Sequence, residues 1–156
     1  MPTYQRTAYP HSIMHRRLHQ ALRKSGYSVT IARRMAFNEL LKGPITAATL
    51  AGRLSPAIDR ATTYRTIGVF EKVGIVNRVI FGQAPKIELS EIFLPHHHHA
   101  VCARCNIAID MASPKLERLL ADLAKQNHFL SIEHSVELRG YCGACHDEES
   151  GSQTGR

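Results

Sequence analysis

Two cysteine pairs, Cys102-x-x-Cys105 and Cys142-x-x-Cys145, stand 36 residues apart and restrict this chain more than any other feature. Two thiols three positions apart grip one Zn2+ across a tight turn, and a second pair completes a tetrahedral thiolate site. A closed site of four thiolates has no open coordination position, so it is structural and not catalytic. These are the chain's only cysteines, 4 in 156 residues, too few for a disulfide-stapled secreted domain. A disulfide or a redox pair is what the spacing leaves as the alternative.

Just upstream runs His96-His97-His98-His99. Alternate residues of a strand face opposite sides. On a strand, then, His97 and His99 point one way and His96 and His98 the other, which predicts two metal sites, one per face. Four solvated histidines in a loop is the bland alternative.

Charge divides the chain in the opposite sense. Residues 1–74 hold twelve Lys and Arg against three acids, net +9, and no cysteine. Residues 75–156 hold eight against ten, net −2, with all four Cys and seven of the ten His. A basic half joined to a metal-binding half suits a polyanion partner. No apolar run is long enough to span a bilayer. The polar stretch from Met1 to His15 lacks the apolar core of a secretory signal, so a cytoplasmic protein is expected.

Periodicity predicts helices over residues 15–25, 30–41, 46–54 and 59–72, with Thr30 and Thr46 as N-caps and Gly74 as the last stop. In the fourth, Ala61, Tyr64, Ile67, Phe70 and Val73 form the apolar face, and Thr62, Thr63, Arg65, Thr66 and Val69 the other. Two strands follow, 75–81 and 86–89, joined by Gly82-Gln83-Ala84-Pro85. Helices followed by a hairpin is the winged-helix order, in which the last helix before the wing enters the DNA major groove. Beyond it come a strand at 107–111, a helix over 114–127 capped by Ser113, with Leu116, Leu119, Leu120 and Leu123 as its stripe, and a strand over 129–138.

Several motifs together resemble the ferric uptake regulator family, over about residues 16–146. They are Val29-Thr30-x-x-Arg33, Ala61-Thr62-Thr63-Tyr64-Arg65, Gly74-Ile75-Val76, the His96–Cys105 stretch, His134 and Gly140-Tyr141-Cys142. The resemblance implies an α+β chain: an N-terminal winged helix, then a small α/β dimerisation domain with a structural zinc site. The divisions expected are a flexible extension over 1–14, a DNA-binding domain over 15–89, a linker over 90–95, a metal-binding dimerisation domain over 96–146 and a disordered tail over 147–156.

Roles follow by the same resemblance. Cys102, Cys105, Cys142 and Cys145 match the structural zinc ligands. Glu88, His97, His99 and Asp110 match a regulatory site for a second divalent ion, Fe2+, Mn2+ or Zn2+. His96, His98, Glu117 and His134 match a second site on the other face, His98 standing where many members have Asp. Tyr64 and Arg65 match base and phosphate contacts, with Thr62 and Thr63 beside them. Arg33, Arg34 and Arg60 suit phosphate contacts. Pro44 replaces a histidine that often joins the regulatory site, Ser28 replaces a lysine of some members, and the loop from Glu88 to the histidines is longer than usual.

The function implied is a homodimeric, metal-responsive repressor that binds a palindromic AT-rich operator, not an enzyme and not membrane-bound. All four cysteines being spoken for, and Glu88 standing where peroxide sensors have Asp, tilt the effector toward iron or manganese. A zinc-uptake-type regulator is the alternative within the family. A zinc-dependent hydrolase built on the histidines is an alternative of another class, though no H-E-x-x-H motif is present. A zinc-ribbon interaction module without sensing is a third.

Overall fold

A computed structural model describes residues 9–81, 84–131 and 133–151, and the chain divides into two compact units, Met1–Pro95 and His96–Arg156.

The first unit opens with α1 (His11–Lys24), α2 (Ile31–Leu40), α3 (Ala47–Leu54) and α4 (Arg60–Val73). Side-chain caps start three of them: Thr30, Thr46 and Asp59 accept from the backbone N–H of Arg33, Thr49 and Thr62. Gly74, at φ 74°, closes α4 in the left-handed conformation that glycine adopts without strain. The antiparallel hairpin β1 (Val76–Phe81) and β2 (Ala84–Leu89) follows, Val76 opposite Leu89. Ile45 exchanges both backbone hydrogen bonds with Ile87, adding a short third rung to the wing. Of the expected turn, Gly82 and Gln83 lie outside the described residues, and Ala84 and Pro85 belong to β2.

Met14, Leu18 and Leu22 supply one buried stripe of α1 to a core shared with Phe37, Leu50, Ile67, Phe70 and Ile87. Two expectations change here. The first helix starts at His11, not at residue 15: the Pro10 carbonyl accepts from Ile13 and Met14, and fully buried Met14 anchors the opening turn. Only residues 1–8 of the expected extension fall outside the described residues. Residues 90–95 are no loose linker. Phe93 and Leu94 are buried, the Phe93 ring meets the edge of Phe37 at 5.0 Å, and Arg17 donates to the Ile92 carbonyl at 2.6 Å. Two of its three large apolar side chains, Phe93 and Leu94, draw the segment into the core.

The second unit is a three-stranded sheet in the order β4-β3-β5, with β3 (His98–Cys102) central, β4 (Ala108–Met111) antiparallel to it and β5 (Glu137–Gly140) parallel. Between β4 and β5 runs α5 (Pro114–Gln126), capped by Ser113 and with Pro at its start. The strand expected over 129–138 is only β5, because β3 offers a ladder for four residues, from His99 opposite Glu137 to Cys102 opposite Gly140. The tail expected to be disordered from 147 instead continues α6 (Gly143–Gly151). Its first turn is set by the His146 N–H donating to the Cys142 carbonyl, and a helix extends readily once a turn is fixed. Residues 152–156 lie outside the described residues.

Candidate metal centres and nucleic-acid interface

The four cysteines converge within the second unit, their sulfurs all within 4.8 Å of one another. Cys102 ends β3 and Cys142 follows β5, so the parallel pairing of those strands is what carries one pair to the other. The Cys105 and Cys142 sulfurs are 3.8 Å apart. A tetrahedron with Zn–S bonds of about 2.3 Å has S···S edges of about 3.8 Å. The cluster's electrostatics are uneven. N–H groups of Cys105 and then Cys142 point at the Cys102 sulfur and lower its pKa to about 6, whereas the Cys142 sulfur and burial push Cys145 up to about 12. The cluster thus favours a thiolate at Cys102 and a thiol at Cys145, and a divalent cation bound among the four would favour the thiolate form throughout.

The histidine run divides two ways, His98 and His99 by the pleat of β3, and His96 and His97, which precede the strand, to the same two clusters. His99 stands opposite Asp110 in the β3–β4 register, so strand pairing alone sets an imidazole beside a carboxylate. His97 joins them: its Nε2 is 3.9 Å from Asp110, that of His99 3.7 Å, and the two rings are 4.9 Å apart. Both His99 and Asp110 are buried, and a polar group held out of water in this way needs a partner or a cation. Glu88 is buried on β2 in the first unit, opposite Asn77. Pro44 and Ser28 carry no metal-ligating or cationic side chain.

On the opposite side of β3, His96 and His98 meet Glu117 of α5 and His134. Glu117 accepts from His98 and from His134, each at 2.9 Å, and lies 3.7 Å from His96. The Nε2 atoms of His96 and His134 face each other at 3.1 Å, where two neutral imidazoles share at most one proton. Burial raises the Glu117 pKa, but the His98 hydrogen bond and the charges of His96 and His134 outweigh it, leaving a net lowering. A tetrahedral ion with bonds of about 2.0–2.1 Å has ligand edges of about 3.4 Å, inside the range these four atoms span. Three imidazoles and a carboxylate suit a borderline divalent ion.

The candidate reading head is α4. Tyr64 is 41% exposed, and so is free to meet a groove, although periodicity places it on the apolar face. The Arg60 guanidinium lies 5.7 Å over its ring, and Arg65 donates to the Thr62 hydroxyl at 3.1 Å. Thr63 is a correction: it is fully buried, its hydroxyl donating to the Asp59 carbonyl, so it faces the core and not DNA. The inward face of α4 is Thr63, Thr66, Ile67 and Phe70. Arg34 is exposed, whereas Arg33 is half-buried and spent internally, on the Ser28 carbonyl and over the Tyr27 ring. Sequence reasoning misses Asp59 as a positioning residue. Its carboxylate takes both the N–H and the hydroxyl of Thr62, which lowers its pKa and fixes the start of the motif. The signal is present as Asp-x-x-Thr before a helix.

Residues 47–139 match the ferric uptake regulator family. The ferric uptake regulation protein of Campylobacter jejuni is 36% identical over 91 residues, a match covering 58% of this chain and 57% of that protein. That of Yersinia pestis is 33% identical over 141 residues, covering 84% of this chain and 93% of its own length. The structure of the ferric uptake regulator of Vibrio cholerae is similar at a TM-score of 0.64 and 31% identity, over 80% of this chain and 99% of that one.

Proposed function

The chain belongs to the ferric uptake regulator family, and from that premise we propose a homodimeric repressor that binds a palindromic, AT-rich DNA operator when its regulatory site holds a divalent metal. The family is one of transcription regulators and not of enzymes, which sets the hydrolase reading aside.

The observation that carries the proposal is the sorting of His96–His99 into two carboxylate-bearing clusters on opposite sides of one strand. Cys102, Cys105, Cys142 and Cys145 would hold structural zinc, which supplies cross-linking between segments that meet at one end of the sheet. His97, His99 and Asp110 would hold the regulatory ion, with Glu88 added by the family resemblance. His96, His98, Glu117 and His134 would hold a further one. Iron or manganese is the effector we favour, in line with the ferric uptake regulators among the relatives.

Coupling to DNA needs no chemistry. Ligands fixed by an ion favour the DNA-competent state in proportion to that state's tighter metal binding, and DNA must tighten the metal by the same factor. On α4, Tyr64 presents a ring to thymine methyl groups while Arg65 and Arg60, with Arg34 of α2, meet phosphates. Dimerisation is supported by the apolar surface the second unit leaves in water: Leu119, Leu123, Phe129, Leu130 and Leu138 are 45–85% exposed. Among the described residues no helix is long and apolar enough to cross a membrane, and the reading places the protein in the cytoplasm.

The deciding experiment is metal analysis of protein purified without chelator, followed by operator-binding titrations with Fe2+, Mn2+ and Zn2+. Stronger binding with Fe2+ or Mn2+ than with Zn2+ at matched occupancy supports the proposal. Zn2+ alone being effective makes it a zinc-uptake-type regulator. Affinity that ignores all three, with the thiolate-bound zinc retained, refutes metal sensing.

A further inference from the structure

The histidines of the first unit, His11, His15 and His19, all lie on α1, apart from the clusters described above. Their spacing of four places them along one face of the helix. The helix contains no Asp or Glu, so its own carboxylates offer them no partner. The rings of His11 and His15 are 5.3 Å apart and inclined at 38°. The histidine pairs within the two clusters of the second unit are spaced at 4.7 to 5.3 Å, so this pair has the separation of rings that converge on one point.

The two rings are held differently. His15 is half-buried, and on its inner side it meets the fully buried Phe37 ring at 5.5 Å and 68°. His11 stands exposed on the first turn. One donor is therefore pre-positioned by the core, and the second reaches it by a rotamer choice in water. Pre-positioning matters because a site of two ligands has little free energy with which to offset side-chain ordering.

Two histidines at i and i+4 on a helix form a chelating face for a transition metal. The surroundings select among metals. Arg16 and Arg17 flank the pair on α1, and Arg34 of α2 lines the same hollow as His15. This positive field excludes hard cations held by charge alone, such as Mg2+ and Ca2+. Ions that bind imidazole strongly enough to overcome it are the late first-row ones. We propose that His11 and His15 form a binding site for nickel or copper on α1, with water completing the coordination.

The test uses the full chain, first given Zn2+ to fill the clusters of the second unit, and Ni2+ as the probe. Equilibrium dialysis should show about one further Ni2+ per chain, held by imidazole nitrogen. Paramagnetic broadening of backbone amide signals should centre on residues 11–19. His11→Ala, at an exposed position, should weaken this binding by roughly tenfold or more, since one of two ligands is gone. His15→Gln, which keeps a polar side chain against Phe37, should do the same, and His19→Ala should leave it unchanged. Nickel uptake that survives His11→Ala, that follows His19 instead, or that broadens only signals of the second unit overturns the proposal.

Discussion

Thr63 and Arg65 are two positions apart in one motif, yet α4 turns the first into the core and the second into solvent. Arg65→Ala should therefore reduce DNA affinity and lower the log–log salt slope by about one, leaving metal content unchanged. Thr63→Val should leave DNA binding alone and act, if at all, on stability. Fluorescence anisotropy with operator DNA across a salt series separates them; equal loss in both would put the reading face elsewhere. The histidines call for the same discrimination. His97→Ala/His99→Ala should keep the thiolate-bound zinc and the dimer but lose most of the metal enhancement of DNA binding, on the order of 1–3 kcal/mol. His96→Ala/His98→Ala should mainly change metal stoichiometry or thermal stability. Titrating operator with and without metal decides it, and the reverse pattern would interchange the roles of the two faces.

At the scale of elements, residues 90–95 show how much of this fold is readable in advance. A short polar-flanked stretch between a wing and a histidine run reads as a connector, and nothing local says that Phe93 will find Phe37, 56 positions earlier in the chain. Phe93→Ala should cost the first unit about 3–5 kcal/mol, a cost no true linker would show, measurable by urea denaturation. The caps at Thr30, Thr46 and Ser113 are legible because they act on atoms three residues away, whereas Asp59 reads as the first residue of its helix. The sorting of His98 and His99 to opposite sides is legible because the period of a strand is fixed at two; that His96 and His97, which precede β3, join the same two clusters is not. The buried face of α4 is not, since Thr63 and Thr66 read as polar although a threonine whose hydroxyl bonds backward along its helix buries readily. Helix α6 is hidden by its Gly- and Ser-rich surroundings, and the early start of α1 by a proline in place of a capping side chain.

The whole molecule joins a basic unit to one whose apolar side chains are poorly covered. None of the thirteen residues of α5 is buried, although Leu116, Leu119, Leu120 and Leu123 share one face. A single copy leaves that face in water at a cost that a second copy would relieve. Leu123→Asp should shift the protein to monomer in sedimentation equilibrium, and with it weaken binding to a two-half-site operator far more than to a single half-site. Monodisperse dimer from that variant would show that α5 is not the contact.

The parallel pairing of β3 with β5 also has a consequence in time. Cys102 and Cys105 leave the ribosome some forty residues ahead of Cys145, the last of the set. At synthesis rates of about 5–20 residues per second, the first two thiols wait roughly 2–8 s for their partners. The first unit ends at Pro95 and contains none of the four cysteines. During that interval the early pair would meet metal or oxidant without its partners, so the metal content of the finished protein should depend on conditions at translation as well as on equilibrium affinity.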